Sequence, residues 1–387
     1  METELSTSFK KNLLISLSLL IICGLIMVYS ASYIFAQENF GDSLFFFKKQ
    51  LRFLLIGLVG LFLFSRTKVT FWIKYAQQIH FLTTIILFLT FVPSLGVTIK
   101  GSSRWMSIAG LSFQPGELVK YSMLLASVNF FEDFENMEFK NKIKNFIFLI
   151  APLLAFLLQP DFGSFSICLM VMSFIAFMSN FPRKIFYSSF VASIIAAGFI
   201  LVSSPYRVKR LMAFLDPWEN PKTSGFQIIQ SYLAFANGSM FGAGIGNSSE
   251  KLFYLPEAHN DFIFSVIGEE LGFVGVLVIV SLFCYFIYNG LQLANRAQEQ
   301  RKKIFISAVI FIIGFQAFLN MGVVLGILPT KGLNLPFISA GGSSLMCNLT
   351  AIGLILSASR IKKVEDSFSE YSNFGNSGQS GQGQFNF

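Results

Sequence analysis

Ten apolar runs, most of them near twenty residues long, constrain this chain more than any other feature. They lie at roughly 12–31, 50–65, 79–96, 114–130, 145–159, 163–180, 185–203, 261–288, 304–327 and 340–359. A helix of about 20 apolar residues crosses a hydrocarbon core of about 30 Å, so each run is long enough, or nearly so, to be one span. The fifth run is short and the sixth begins a few residues later, which suits a tight or tilted hairpin. Composition agrees: only 13% of the 387 residues are charged, about half the share of a soluble domain, and 48 are Phe. The expected fold is an all-α integral membrane protein of about ten transmembrane helices.

Orientation follows from lysine and arginine, which favour cytoplasmic segments. With the N-terminus inside, inner segments hold 17 of these residues and outer segments 11, with Lys120 left within the fourth span. Both termini are therefore expected in the cytoplasm. The first run follows Lys10 and Lys11 like a signal peptide, but it is too long for one and reads as an uncleaved anchor. Between the seventh and eighth spans, residues 204–260 form an extracytoplasmic loop far longer than a connector needs, and loops of that length are usually functional or disordered. Trp218, several prolines and "GSMFGAGIG" favour an ordered binding surface. The polytopic domain is expected over 1–363, with 364–387, rich in Gly, Ser, Gln and Asn, a disordered cytoplasmic tail. The four cysteines sit in apolar runs without metal or redox spacing and read as buried small hydrophobes. Two histidines exclude a His-rich metal site.

Polar residues gather on one side. "KGSSRW" (100–105), "QPGELVK" (114–120), "QPDFG" (159–163), "YRVKR" (206–210), "LPEAHND" (255–261) and "LPTKGLNLPFISAGGSS" (328–344) all meet the outer face under the ten-span arrangement. Polar loops also simply solvate helix ends, but six such segments on one face suit a site for an anionic partner. In the eighth span, helical periodicity puts Asp261, Ser265, Gly268 and Gly272 on one small, polar stripe, with Glu270 opposite and Glu269 to the flank. Gly268 and Gly272 form a small-xxx-small pair that lets another helix approach. Asp261 stands at the helix start, where an acid caps free N–H groups or serves chemistry. Glu269 and Glu270, about 12 Å deeper along a continuous helix, read as structural, each held by a polar group on a neighbouring helix. Glu117 and Lys120 share a helix face and suit an intramembrane ion pair or substrate contact equally. Gln316 and Asn320, one turn apart, read as helix glue.

These segments resemble the SEDS family of bacterial peptidoglycan polymerases, and the resemblance covers nearly all of the chain up to the tail. It is carried by "QPDFGS", "HNDFIFSVIGEELGF" and "GILPTKGLNLPFISAGGSS". "PTKG" (329–332) and "MVYSAS" (27–32) are similar to the cell-division branch, the FtsW-like proteins, rather than the elongation branch typified by RodA. The resemblance implies a ten-span glycosyltransferase that joins lipid II, an undecaprenyl-pyrophosphate-linked disaccharide-pentapeptide, into glycan strands. It would act at the outer face of the cytoplasmic membrane, at the division septum. The family's catalytic aspartate falls on Asp261, and its Glu and Lys in the fourth span fall on Glu117 and Lys120. The implied partners are lipid II, a class B penicillin-binding transpeptidase and other division proteins, with no nucleic acid. Departures are small: Asn260 stands where Thr is common, Gly116 where Ser is usual, and Ala340 where Tyr is usual.

The chemistry suits the residue types. Transfer from a pyrophosphate-linked donor needs a base for the incoming hydroxyl and positive charge for the leaving group. Asp261 is the candidate base, and Arg104, Arg207, Arg210 and above all Lys331 are candidates for the leaving group. Asp161, His259 and Ser343 complete the expected substrate-binding set. No cofactor is evident, although a divalent cation could share the leaving-group work. A lipid II flippase and a non-catalytic division scaffold are the competing readings. A flippase needs polar residues through both leaflets, and a scaffold needs no outer aspartate or basic cluster.

Overall fold

In a computed structural model of the chain, residues 2–99, 102–108, 111–203, 208, 211–212, 214–223, 225–249, 256, 258–329 and 332–360 are described. Arg207, Arg210, Lys331, Glu257 and the tail 364–387 lie outside the described residues.

Each of the ten apolar runs contains a helix. In chain order, α1 is Glu2–Phe40, α2 Phe45–Arg66, α3 Val69–Lys74 and α4 Ala76–Leu89. Then come α5 (Pro115–Glu132), α6 (Phe139–Leu158), α7 (Phe162–Met178) and α8 (Arg183–Val202). After the long loop's own helix, α9 (Phe226–Gly238), follow α10 (Ile263–Asn295), α11 (Gln300–Val324) and α12 (Gly342–Ala358). Segments within α1, α6, α10 and α11 are long and apolar enough to cross a membrane by themselves. Along the bundle α2 packs on α12, α1 on α10, and α4 on α5. Cys168 and Cys347 are buried as expected, whereas Cys284 is exposed among the apolar side chains of α10.

Two features depart from an uninterrupted helical bundle. The first is a three-stranded antiparallel sheet between α4 and α5: β1 (Gly96–Ile99), β2 (Ser102–Ile108) and β3 (Leu111–Phe113). Gly101 and Gly110 stand between the strands in sequence, the punctuation of short hairpins. The fold is therefore mostly helical rather than purely so.

The second is a break in α10. Gly272 has φ 66° and ψ −168°, a conformation that favours glycine, and it divides the helix into an upper arm (263–271) and a lower arm (273–295). Such a break frees carbonyls on one side and N–H groups on the other. Residues 239–244 satisfy both sets. Ala243 N–H donates to the Glu269 carbonyl (2.9 Å) and Gly244 N–H to that of Glu270 (3.0 Å). Phe273 N–H donates to Ser239 O (2.9 Å) and Val274 N–H to Met240 O (3.2 Å).

The break corrects the expectation that Glu269 and Glu270 lie deep in a continuous span. At 1.5 Å per residue the lower arm alone is about 34 Å long, enough to cross the hydrocarbon core. One side of it, with Phe273, Leu277, Val278 and Tyr288, is exposed while Ile279, Phe283 and Phe286 are buried, whereas 263–270 are buried all round. Both carboxylates therefore sit at the junction of the arms, at one end of the lower arm. Each is held by hydroxyl groups from another part of the chain. Glu270 accepts from Ser30 Oγ of α1 at 2.7 and 2.6 Å. Glu269 accepts from Ser249 N–H (3.0 Å) and Oγ (2.7 Å) and from Ser248 Oγ.

The small stripe on the upper arm takes a helix, and that helix is α9. Ser231 Oγ lies 2.7 Å from Ser265 Oγ, and the Phe235 ring covers Gly268. Gly238 approaches so closely that an added Cβ would lie 1.9 Å from the Gly268 carbonyl oxygen. A helix within 204–260 is thus the packing partner of the arm that follows Asp261. Gly238→Ala is expected to separate α9 from that arm and destabilise the protein by at least the roughly 1–3 kcal/mol typical of overpacking. Gly198→Ala, with nothing within 4 Å of the added methyl, is the control. Thermal unfolding in detergent reads both, and equal melting temperatures would overturn the assignment.

Candidate functional site

The segment 332–341 passes between the ends of the helices, and the candidate residues among the described ones collect around it. It lies against Asp261: a Cβ added at Gly332 would stand 2.9 Å from Asp261 Oδ2, so a side chain there would push the carboxylate aside. Its next residue, Leu333, packs its side chain on Gly163, beside Asp161. Gln316 and Asn320 of α11 hold it from the other side. Gln316 Nε2 donates to Asn334 O (3.0 Å), and Asn320 Nδ2 donates to both Leu333 O (2.6 Å) and Asp261 O (2.8 Å). These two residues therefore bind a loop more than a helix. The N-cap of α10 is Phe262, so Asp261 stands one position before the cap, half-buried.

Below this segment lies the ion pair. Lys120 Nζ donates to Glu117 Oε1 at 2.8 Å, with Oε2 at the same distance but poorly aligned, and to Gln316 Oε1 at 3.3 Å. Glu117 and Lys120 are 7% and 3% exposed, which makes this a buried pair. Gln316 thus links it to the loop beside Asp261. Pro115 at the first turn of α5 and Glu117 in that same turn suit a helix N-terminus, where a missing N–H costs nothing and negative charge is favoured.

Arg104 and Asp161 form a second cluster on the far side of Leu333. Arg104, on β2, donates from Nε to Gln159 O (3.1 Å) and from Nη2 to Pro160 O (2.6 Å), with Nη1 3.9 Å from Asp161 Oδ1. Asp161 caps α7, accepting from Ser164 N–H (3.1 Å) and Oγ (2.9 Å). Both residues thus carry structural duties at the α6–α7 turn. Ser343 likewise accepts from Gln114 N–H (3.1 Å), joining the starts of α5 and α12. His259 is 6% exposed, its ring 4.3 Å from that of Phe46 and 5.5 Å from that of Phe35. It anchors the segment before Asp261 to the end of α1 and the start of α2.

Five of the six polar segments thus converge, and the sixth, 206–210, falls largely outside the described residues. Among the described residues no three His, Cys, Asp or Glu side chains gather as a metal site. Sequence reasoning missed Gly332 as the residue touching the carboxylate, although its place after Lys331 in a Gly- and Pro-rich run was a signal of close backbone approach.

Glu117→Ala leaves the Lys120 ammonium buried without its carboxylate. Breaking a buried pair from one side costs about 3–5 kcal/mol, whereas replacing both partners by apolar residues is often neutral. Membrane yield and thermal stability are therefore expected to fall in Glu117→Ala and to recover in Glu117→Leu combined with Lys120→Met. Wild-type values for the single variant would make the pair incidental.

Comparison with known proteins bears on the whole chain. A family model described as a cell cycle protein, covering FtsW, RodA and SpoVE, matches residues 10–364. The chain is 40% identical over 347 residues to a probable peptidoglycan glycosyltransferase FtsW of Saccharophagus degradans, covering 87% of this chain and 89% of that one. It is 36% identical over 370 residues to the stage V sporulation protein E of Bacillus subtilis, covering 93% and 100%. Among solved structures, a chain from work on the coordination of polymerization and crosslinking by a peptidoglycan synthase complex superposes with a TM-score of 0.72. It has 28% identity, over 90% of this chain and 96% of that one. Thermus thermophilus RodA shares the fold, with a TM-score of 0.66 at 24% identity over 90% and 95%. The chain belongs to the FtsW/RodA/SpoVE family of cell cycle proteins.

Proposed function

We propose that this chain is a peptidoglycan glycosyltransferase that polymerises lipid II at the outer face of the cytoplasmic membrane during septal wall synthesis. The observation that carries the reading is the half-buried carboxylate of Asp261, set against Gly332 where five outer polar segments converge. Relatives named as probable peptidoglycan glycosyltransferases, similar over 87% of the chain, support the reaction class. The division-type motifs "PTKG" and "MVYSAS" support the septal role.

In this reading Asp261 accepts the proton of the acceptor sugar hydroxyl as that oxygen attacks the anomeric carbon of the donor. The bond to the lipid pyrophosphate breaks, and its negative charge is met by cations at the outer face, Lys331, Arg207 and Arg210 being the candidates. Arg104, Glu117, Lys120, Asp161, His259 and Ser343 contribute by shaping the walls around 332–341, through the bonds described above. A divalent cation could share the charge on the pyrophosphate. The partner is a class B penicillin-binding transpeptidase that crosslinks the new strand, and the related synthase complex favours such a pairing.

The helix in each of the ten apolar runs supports ten spans, with 204–260 outside and both termini in the cytoplasm. An introduced cysteine at the exposed Lys222 is expected to react with an impermeant thiol reagent in intact spheroplasts. Reaction only after permeabilisation would reverse the topology and remove the site from the outer face.

Asp261→Asn keeps the shape of the side chain and removes the base. General-base catalysis contributes about 10²–10⁴-fold, so lipid II polymerisation by the purified complex is expected to fall by at least that lower factor. Yield and thermal stability should remain those of the wild type. Substantial polymerisation by the folded Asn variant would leave the base unassigned.

A further inference from the structure

Three consecutive backbone carbonyls end at Asp261, and each accepts a hydrogen bond from a different part of the chain. Ala340 N–H donates to His259 O (3.0 Å), Ser339 Oγ to Asn260 O (2.7 Å), and Asn320 Nδ2 to Asp261 O (2.8 Å). The donors are themselves fixed. Ser339 Oγ accepts from Leu335 N–H (2.8 Å), and the Ser339 carbonyl accepts from Gln50 Nε2 of α2 (3.0 Å). The Asn320 amide also donates to Leu333 O (2.6 Å); since both of its partners are carbonyl oxygens, which only accept, its NH₂ must be the group that faces them. Asn320 and Ser339 are 1% and 3% exposed, so no water competes for these bonds. Phe337, two residues before Ser339, is held at φ 67°, a conformation costly for a bulky residue and kept only where the surroundings over-determine it.

We propose that Asn320 and Ser339 are positioning residues for the base: they fix the Asp261 backbone, and with it the direction and reach of the carboxylate, without touching substrate. The inference rests on the reading of Asp261 given above. Its physical basis is that a displacement of about 1 Å at a reacting group costs on the order of 10²-fold in rate. The direction of a side chain follows the backbone that bears it, and here that backbone is held at its own carbonyl and the two before it. Asn320 also binds Leu333 O, so the same amide sets the spacing between the carboxylate and Gly332. Neither residue carries charge, and both are too buried to contact a lipid-linked substrate directly.

The test uses Asn320→Asp, which is isosteric but turns an acceptor toward two carbonyl oxygens, and Ser339→Ala, which deletes one hydroxyl. Both are assayed in the full chain with its transpeptidase, on lipid II, for kcat and KM separately and for thermal stability. The expected result is a kcat lowered tenfold to a hundredfold with KM within twofold, at a melting temperature close to wild type in at least Ser339→Ala. Ser339→Thr, which keeps the hydroxyl, is expected to retain most of kcat. Wild-type kcat in the folded variants, or a change confined to KM, overturns the proposal. So does activity that falls only in step with the amount of folded protein, since the clamp would then serve folding alone. Asp261→Asn is run beside them: full activity in that variant would sink the reading of Asp261 itself, whereas its inactivity with normal Asn320→Asp and Ser339→Ala would sink only the clamp.

Discussion

Two antiparallel helices joined by a short turn climb at the same rate per residue, and the rest of this structure depends on how α10 and α11 satisfy that constraint. From the turn, Asn320 stands about 30 Å up α11, whereas Ile263 would stand about 48 Å up an unbroken α10. Yet Asn320 hydrogen-bonds the Asp261 carbonyl. The break at Gly272 removes the mismatch, letting the upper arm leave the axis and bring Asp261 back to the far end of α11. The bond network around the break follows from this one requirement. Ser231 Oγ reaches both Ser265 and the Val324 carbonyl, so α9 fills the angle between the arm and the end of α11.

The polar groups beneath the site obey a related rule. Taking an ammonium and a carboxylate out of water costs several kcal/mol per ion, and contact at 2.8 Å repays that only when the remaining donors are also met. Lys120 gains a second acceptor in Gln316, whose amide then reaches Asn334. The ion pair is therefore coupled to the same loop that touches Asp261. Positions of these groups are fixed by chemistry on three helices rather than by any single one, which is how a site built largely from loop backbone becomes rigid.

Much of this was legible in the sequence. Apolar run lengths located ten helices, and helical periodicity identified the Ser265–Gly268 stripe as a surface for close approach. Spacing of three residues paired Glu117 with Lys120. What stayed hidden has physical causes. Gly272 lies in an apolar run whose periodicity continues past it, and a glycine there satisfies two readings, helix packing and helix termination. Choosing between them required the partners of the freed backbone groups, which come from residues 239–244, nearly thirty positions away in sequence. The sheet at 96–113 was missed because its strands are short and fall between two apolar runs, where "KGSSRW" read as a polar connector. The charges of Arg104 and Asp161 were visible in the sequence, but not the carbonyls that Arg104 meets or the helix that Asp161 caps.

The two-armed form of α10 also bears on how this protein tolerates different lipids. Bilayers differ in thickness by a few Å, and a single helix answers such a change by tilting. The lower arm, about 34 Å long, slightly exceeds a core of about 30 Å and lies mostly exposed on its lipid side. Its tilt would swing a rigid extension through a wide arc. Here the extension is joined at Gly272 and tied separately to Ser30, Ser249 and Asn320, which belong to α1, the outer loop and α11. The segment that is long enough to cross the lipid and the segment that leads back to Asp261 thus meet at one glycine and the 239–244 strap, and beyond that junction the upper one has anchors of its own.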